Sequence, residues 1–236
     1  MQKIESVRST GESNQGDVPV SMPDVPLAPR RLPNQTRGRE TMEAILRAAG
    51  TEIEREGLDR LTTKRIAAAA GVSVGALYEY FPNKEAIVFA LLTDWLERVY
   101  NALDEFHPQR GGCQDMLTYL TLQMDRMVSL YSDQPGLGSL ITAIASMPQL
   151  REAVREHDSR SAASTASALS FFAPQADPQA VLSTARSIAI FAHEILSEAL
   201  VRKAPDAEAL IENLKVCAFA LASRLLLRSS FARREP

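Results

Sequence analysis

Residues 62–84 read TTKRIAAAAGVSVGALYEYFPNK, and two short helices can be written into them with little freedom. Thr62-Thr63 offer a hydroxyl cap ahead of Lys64 to Ala70, whose inward face is Ile66, Ala67 and Ala70. Gly71 can supply the positive φ of a tight turn, since a residue without Cβ enters that region at no steric cost. Ser73 is placed to cap a second helix, Val74 to Tyr80, and Pro82-Asn83 stops it and opens another. Two short helices joined by a glycine turn have the grammar of a helix-turn-helix. Val72, Leu77 and Phe81 can pack the second helix on Ile66, which turns Ser73, Val74, Gly75, Ala76, Tyr78 and Tyr80 outward. Small residues at Gly75 and Ala76 let a backbone approach a groove wall, while the tyrosine hydroxyls, Thr63 and Lys64 can donate to phosphate oxygens.

Outward from this unit the helical period continues in both directions. Before it, Met42, Ile45, Leu46, Ala49 and Ile53 recur at offsets of three and four and stop near Gly57. After it, Lys84 to about Phe106 carries Ile87, Leu91, Leu92, Trp95, Leu96 and Val99 on one face. Further helices are expected at about 113 to 131, 136 to 146, 148 to 172, 178 to 203 and 206 to 231, several opened by proline or an acidic cap. Strand periodicity is absent. The expectation is an all-α chain of about nine helices: an N-terminal three-helix helix-turn-helix domain, then a helical dimerisation domain. Near the C-terminus Leu210, Leu214, Cys217, Leu221 and Leu225 form one stripe, which Val216, Phe219, Ala220 and Leu226 widen beyond a single face. A surface that wide on the last two helices is most simply covered by the same pair from a second copy, giving a homodimer.

Composition narrows the function classes. With 45% apolar and 23% charged residues among 236, the chain is a soluble globular protein. Its 26 basic and 29 acidic groups leave a net charge of -3, so any nucleic-acid site must be local. Residues 35–84 hold eight basic and seven acidic groups, and 85–236 hold 14 and 18. Residues 1–34 contain five of the thirteen prolines and show no apolar period, which reads as a flexible tail. At its junction with the folded part Arg30, Arg31, Arg37 and Arg39 gather, either to meet phosphates or as a solvated charge run. The expected domains are a tail over 1–34, a DNA reader over 35–84 and a helical dimerisation domain over 85–236.

Enzyme chemistry finds no foothold. Cys113 and Cys217 lack metal-ligand spacing. His193-Glu194 opens an HExxH string, but Ser197 stands where the second histidine belongs. His157-Asp158 has no histidine cluster around it, and a Glu-x-x-His pair, a glycine-rich phosphate loop and a GxSxG elbow are all missing. Neither catalytic residues, a metal nor a cofactor is expected. No run approaches the ~18 to 20 apolar residues of a membrane helix, so a cytoplasmic location without membrane contact is expected.

The string IAAAAGVSVGALYEYFPNKEAI, residues 66–87, resembles the DNA-binding domain of the TetR family of bacterial transcriptional regulators over about Arg37 to Ile87. The resemblance implies that Thr63 and Lys64 touch backbone phosphate and that Ser73, Val74, Gly75 and Ala76 face base edges or sugar. It further implies that Tyr78 and Tyr80 reach phosphate across the major groove and that Lys84 binds phosphate from the fourth helix; Arg39, from the arginine cluster at the junction, is a further candidate DNA contact. Apolar Val74 suggests a thymine methyl rather than hydrogen-bonded readout. Arg65 stands where the family commonly has an acidic residue, which removes a capping partner for Thr62 and leaves the local backbone N–H for phosphate. By the family plan the domain over 85–236 also binds ligand, and the protein is a repressor that binds a palindromic operator in double-stranded DNA and is released by a partly apolar small-molecule inducer. Candidate pocket residues are Trp95, Tyr119, Met124, Met127, Tyr131, Phe171, Phe172 and His193, each of which has ordinary core packing as its other reading. The alternative class is an all-helical small-molecule carrier with a vestigial reader, and salt-dependent DNA affinity separates the two.

Overall fold

The computed structural model describes residues 26–30 and 36–231. Of the expected tail over 1–34, residues 1–25 and 31–34, with the cation Arg31, lie outside the described residues. Nine α-helices and no strand occur among the described residues: α1 Thr36–Glu56, α2 Thr63–Ala69, α3 Val74–Tyr80, α4 Lys84–Glu105, α5 Met116–Ser132, α6 Leu137–Ser146, α7 Pro148–Phe172, α8 Pro178–Leu196 and α9 Ala207–Phe231.

Most helices begin where a side chain satisfies the orphan N–H groups of the first turn. Thr62, Ser73, Asn83, Asp115 and Asp177 each accept a bond from the backbone N–H three residues on. The Asp115 cap explains why α5 starts at Met116 and not at the expected 113. Expected as one helix to about Lys203, the penultimate element ends as an α-helix at Leu196 and widens into a π turn over Ser197–Val201. Arg202 N–H reaches back five residues to the Ser197 carbonyl at 2.9 Å. Val201 packs against α6 there, and its Cγ1 would lie 2.9 Å from a Cβ placed on Gly138. The chain then reverses through Lys203, whose φ of 56° is left-handed.

α1, α2 and α3 share one small core built on Ile45, Ile53, Ile66, Leu77 and Phe81, all essentially inaccessible. α4 leaves this unit through Ala86 and Ile87 and runs on between α1, α5 and α7, so one long helix belongs to both cores. α8 lies between α7 and α9. Lys215 on α9 pairs with Asp125 on α5 at 2.9 Å and with Glu212 at 2.8 Å, which holds its ammonium pKa above the usual lysine range.

Candidate nucleic-acid interface

The turn between α2 and α3 is set by backbone bonds. Gly71, at φ 69°, donates to the Ala68 carbonyl at 3.2 Å, and Val72 N–H donates to Ala67 at 3.0 Å. This pair of bonds fills the open carbonyls at the end of α2 and needs the left-handed residue that glycine supplies. Ser73 Oγ then accepts the Ala76 N–H at 3.0 Å and starts α3. Leu77 and Phe81 fix α3 against Ile66, so its opposite face is left open.

On that face Ser73, Val74, Gly75 and Tyr78 are exposed, with Ala76 half-buried beside them. The Tyr78 hydroxyl lies 3.1 Å from Thr63 Oγ1, so the first residue of α2 holds the tyrosine at the outer edge of α3. Lys64 is exposed, Lys84 begins α4 and is half-buried, and Arg39 is exposed on the first turn of α1. Tyr80 is half-buried against the core, so it presents less of its ring outward than Tyr78. A Cβ added to Gly75 would meet only Ser73 Oγ at 3.8 Å, so the packing of the free protein does not require glycine there.

The near-zero net charge of this region resolves into two populations. Arg47 pairs with Glu43, Arg55 with Glu52 and Glu56, Arg60 with Glu56, and Arg65 with Glu52 at 3.0 Å and Glu56 at 2.9 Å. The Arg65 hydrogen bond holds the Glu56 carboxyl below its usual range, and Glu52 is itself buried. Among the described residues no ion pair involves Arg30, Arg37, Arg39, Lys64 or Lys84. Arg65 therefore belongs to the joint between α1 and α2. The Arg65 N–H donates to Thr62 Oγ1 at 3.3 Å, so Thr62 caps α2 without an acidic partner.

The sequence-proposed pocket residues fall into two groups. Trp95 on α4 meets Tyr131 on α5 edge to face at 5.3 Å, and the Tyr131 hydroxyl lies 2.8 Å from His193 Nδ1 on α8. Trp95 Nε1 is buried without a hydrogen-bond partner among the described residues. Burial pushes the Tyr131 hydroxyl pKa well above the ordinary phenol range, so it stays protonated. Further along α5, Tyr119 receives a bond from Gln123 Nε2 at 3.1 Å and its ring lies 5.8 Å from Phe172. Gln123 Oε1 is also buried and unpartnered. Met124 and Met127 are buried. Phe171 touches Phe172 but is 40% exposed, at the rim and not in the interior.

Three features escaped the sequence reading. Residues 26–30, with Leu27 buried, are hydrogen-bonded to Tyr78, Tyr80 and Asn83 of the reader, Gly50 faces Pro135, and Glu54 holds Gly136. Only the first leaves a sequence trace, a single leucine between Pro26 and Pro29, which a test for periodicity does not register.

A three-helix reader joined through a shared helix to a six-helix body defines a DNA-binding regulator of the helix-turn-helix class. The family model for bacterial regulatory proteins of the tetR family matches residues 45–91, and that for the Tetracyclin repressor-like C-terminal domain matches residues 117–220. The chain belongs to the TetR family and is a DNA-binding transcriptional regulator, not an enzyme. It is 33% identical over 108 residues to the nucleoid occlusion factor SlmA of Shewanella woodyi, covering 44% of this chain and 51% of that protein. It is 33% identical over 94 residues to the HTH-type transcriptional regulator YvdT of Bacillus subtilis, covering 40% and 46%. The chain thus spans about half the length of the curated relatives it matches. A TetR transcription regulator from Haloarcula marismortui superposes with a TM-score of 0.64 at 18% identity, over 79% of this chain and 98% of that one, a likeness of fold. No described helix is long and apolar enough to cross a membrane.

Proposed function

We propose that this regulator is a homodimeric repressor, with its reader in residues 35–84 and its ligand-binding and dimerisation body in 85–236, acting on DNA in the cytoplasm. Arg39, Thr63, Lys64, Tyr78, Tyr80 and Lys84 would meet backbone phosphates, and Ser73, Val74, Gly75 and Ala76 would face base edges. The observation that carries the DNA part is the separation of charge: Arg47, Arg55, Arg60 and Arg65 are spent on glutamates, while Arg30, Arg37, Arg39, Lys64 and Lys84 are in no ion pair among the described residues. Phosphate neutralisation makes affinity fall with salt. Duplexes selected from a random pool should bind in the nanomolar range at physiological salt, with a steep salt slope. Micromolar binding to every sequence and a flat slope would instead favour the carrier.

Dimerisation is supported by the face that α8 and α9 leave uncovered. Ile190 is 58% exposed, Phe191 45% and Val216 67%, and the groove between the two helices is lined by Ala180, Ser183, Thr184, Ser187 and Leu221. A second copy placed about a two-fold axis would cover this surface with its own α8 and α9.

The inducer reading rests on Trp95. A buried indole N–H without an acceptor is costly, and an entering carbonyl or carboxylate oxygen would satisfy it. The ligand class is therefore a partly apolar molecule bearing an acceptor oxygen, placed beside Trp95, Tyr131 and His193, with Met127, Met124, Tyr119 and Phe172 beyond. Trp95 is the sole tryptophan, so its fluorescence reports occupancy directly. Aromatic and medium-chain carboxylates titrated into the DNA complex should shift that emission at the concentrations that release DNA. Release without any change in Trp95 emission would move the site elsewhere.

A further inference from the structure

Pro26 to Arg30 lie along the seam between the end of α3 and the start of α4. Leu27 is 8% exposed within the core. Asn83 uses both ends of its amide: Oδ1 accepts the Ala86 N–H at 2.7 Å to cap α4, and Nδ2 donates to the Pro26 carbonyl at 3.1 Å. Arg30 N–H donates to the Tyr80 carbonyl at 2.8 Å, and its guanidinium donates to the Tyr78 carbonyl at 3.4 Å. The last carbonyls of a helix have no partner within it, and a cation is favourable there. The segment thus closes the end of a recognition helix only seven residues long.

We infer that residues 26–30 form a docked arm that adds a DNA contact of its own, with Leu27 as the anchor and the Arg30 guanidinium as the group that binds a backbone phosphate next to the one met by Tyr78. Three observations carry it. Arg30 is exposed and in no ion pair among the described residues, unlike Arg47, Arg55, Arg60 and Arg65. It touches the backbone of the residue whose hydroxyl is held at the outer edge of α3. Its position is fixed by a buried side chain and two backbone-directed bonds, so little ordering remains to be done when DNA arrives. Arg is suited to this task because its planar fork can keep the Tyr78 carbonyl on one N–H and offer others to phosphate oxygens.

The test uses the full chain and a duplex that the wild type binds, followed by fluorescence anisotropy over a salt series. Arg30→Ala should weaken specific and non-specific duplexes alike by about five- to tenfold and lower the salt slope by about two, one for each copy of the dimer. Arg30→Lys should restore most of the slope. Leu27→Ser should reproduce the Arg30→Ala loss while the circular dichroism of the folded protein is unchanged. Unaltered affinity and slope in both Arg30→Ala and Leu27→Ser would overturn the inference and leave the arm as packing alone. Tighter binding in Leu27→Ser would also overturn it, since the arm would then be shielding the face.

Discussion

The Glu54 carboxylate on α1 accepts the backbone N–H of Gly136 at 2.8 Å, which ties the DNA reader to the loop that opens α6. The joint is tight on both sides. Gly136 sits at φ 73°, and a Cβ there would lie 2.8 Å from Ile53 Cγ2 and 3.0 Å from the Gly50 carbonyl. A Cβ added to Gly50 would lie 3.3 Å from the Pro135 carbonyl. Only five residues before Gly136 stands Tyr131, bonded to His193, and between them Gln134 accepts a bond from Arg98 on α4. A displacement of Tyr131 therefore has a short packed route to α1 and to α4. Close packing transmits strain along such a route.

Gly136→Ala should accordingly destabilise the protein by about 2 kcal/mol or more, from the left-handed φ together with the contact on Ile53. Urea unfolding checks this. Gly138→Ala, which meets only the Val201 methyl at 2.9 Å and has an ordinary φ, should cost less.

Gly75→Ala should separate stability from recognition. The free protein has room for the methyl group, and alanine is favoured over glycine inside a helix by about 0.5–1 kcal/mol, so thermal stability should rise. DNA affinity should fall, because the methyl group would stand between α3 and the groove wall. A variant both more stable and equally tight would remove Gly75 from the interface.

The reader was legible because each of its turns is written in local chemistry: Thr62, Ser73 and Asn83 cap, Gly71 turns, and Leu77 and Phe81 point inward. The body was legible as helices but not as contacts. Nothing in the spacing of Glu54 and Gly136 announces that they bond across 82 positions. The arm was hidden for another reason. A proline-rich stretch without period reads as a tail, and the Asn83 amide that holds the Pro26 carbonyl is in place only after α3 and α4 have packed. Likewise Arg65 looked like a lost cap until α1 brought Glu52 and Glu56 to it.

His157 gives the protein a defined response to acid. Burial, with the Arg160 charge second, lowers its pKa from 6.5 to about 4, and Nε2 lies 3.2 Å from Ser161 Oγ. Between these values the unfolded chain binds a proton that the folded chain refuses. The stability linked to neutral His157 is thus complete above pH 6.5 and is lost as pH falls toward about 4. Folding free energy should drop by about 2 kcal/mol between about pH 7.5 and pH 5 from this group alone. His157→Gln, which can still bond Ser161, should flatten that part of the curve in urea unfolding.

Val216→Glu is the sharpest test of assembly. At 67% exposure Val216 contributes little to the fold of one copy, so a charge there should leave the unfolding of the isolated subunit within about 0.5 kcal/mol of wild type. In a dimer closed by α8 and α9 the same residue meets its own symmetry mate or a near neighbour, and two buried carboxylates face each other at a severe electrostatic cost. Sedimentation equilibrium should show a monomer. The reader would be chemically untouched, yet affinity for a two-half-site duplex should fall by about a hundredfold or more, because the second reader no longer benefits from being tethered to the first. Binding to a single half-site should be unchanged, and that contrast ties the apolar face of α9 to operator recognition through geometry alone.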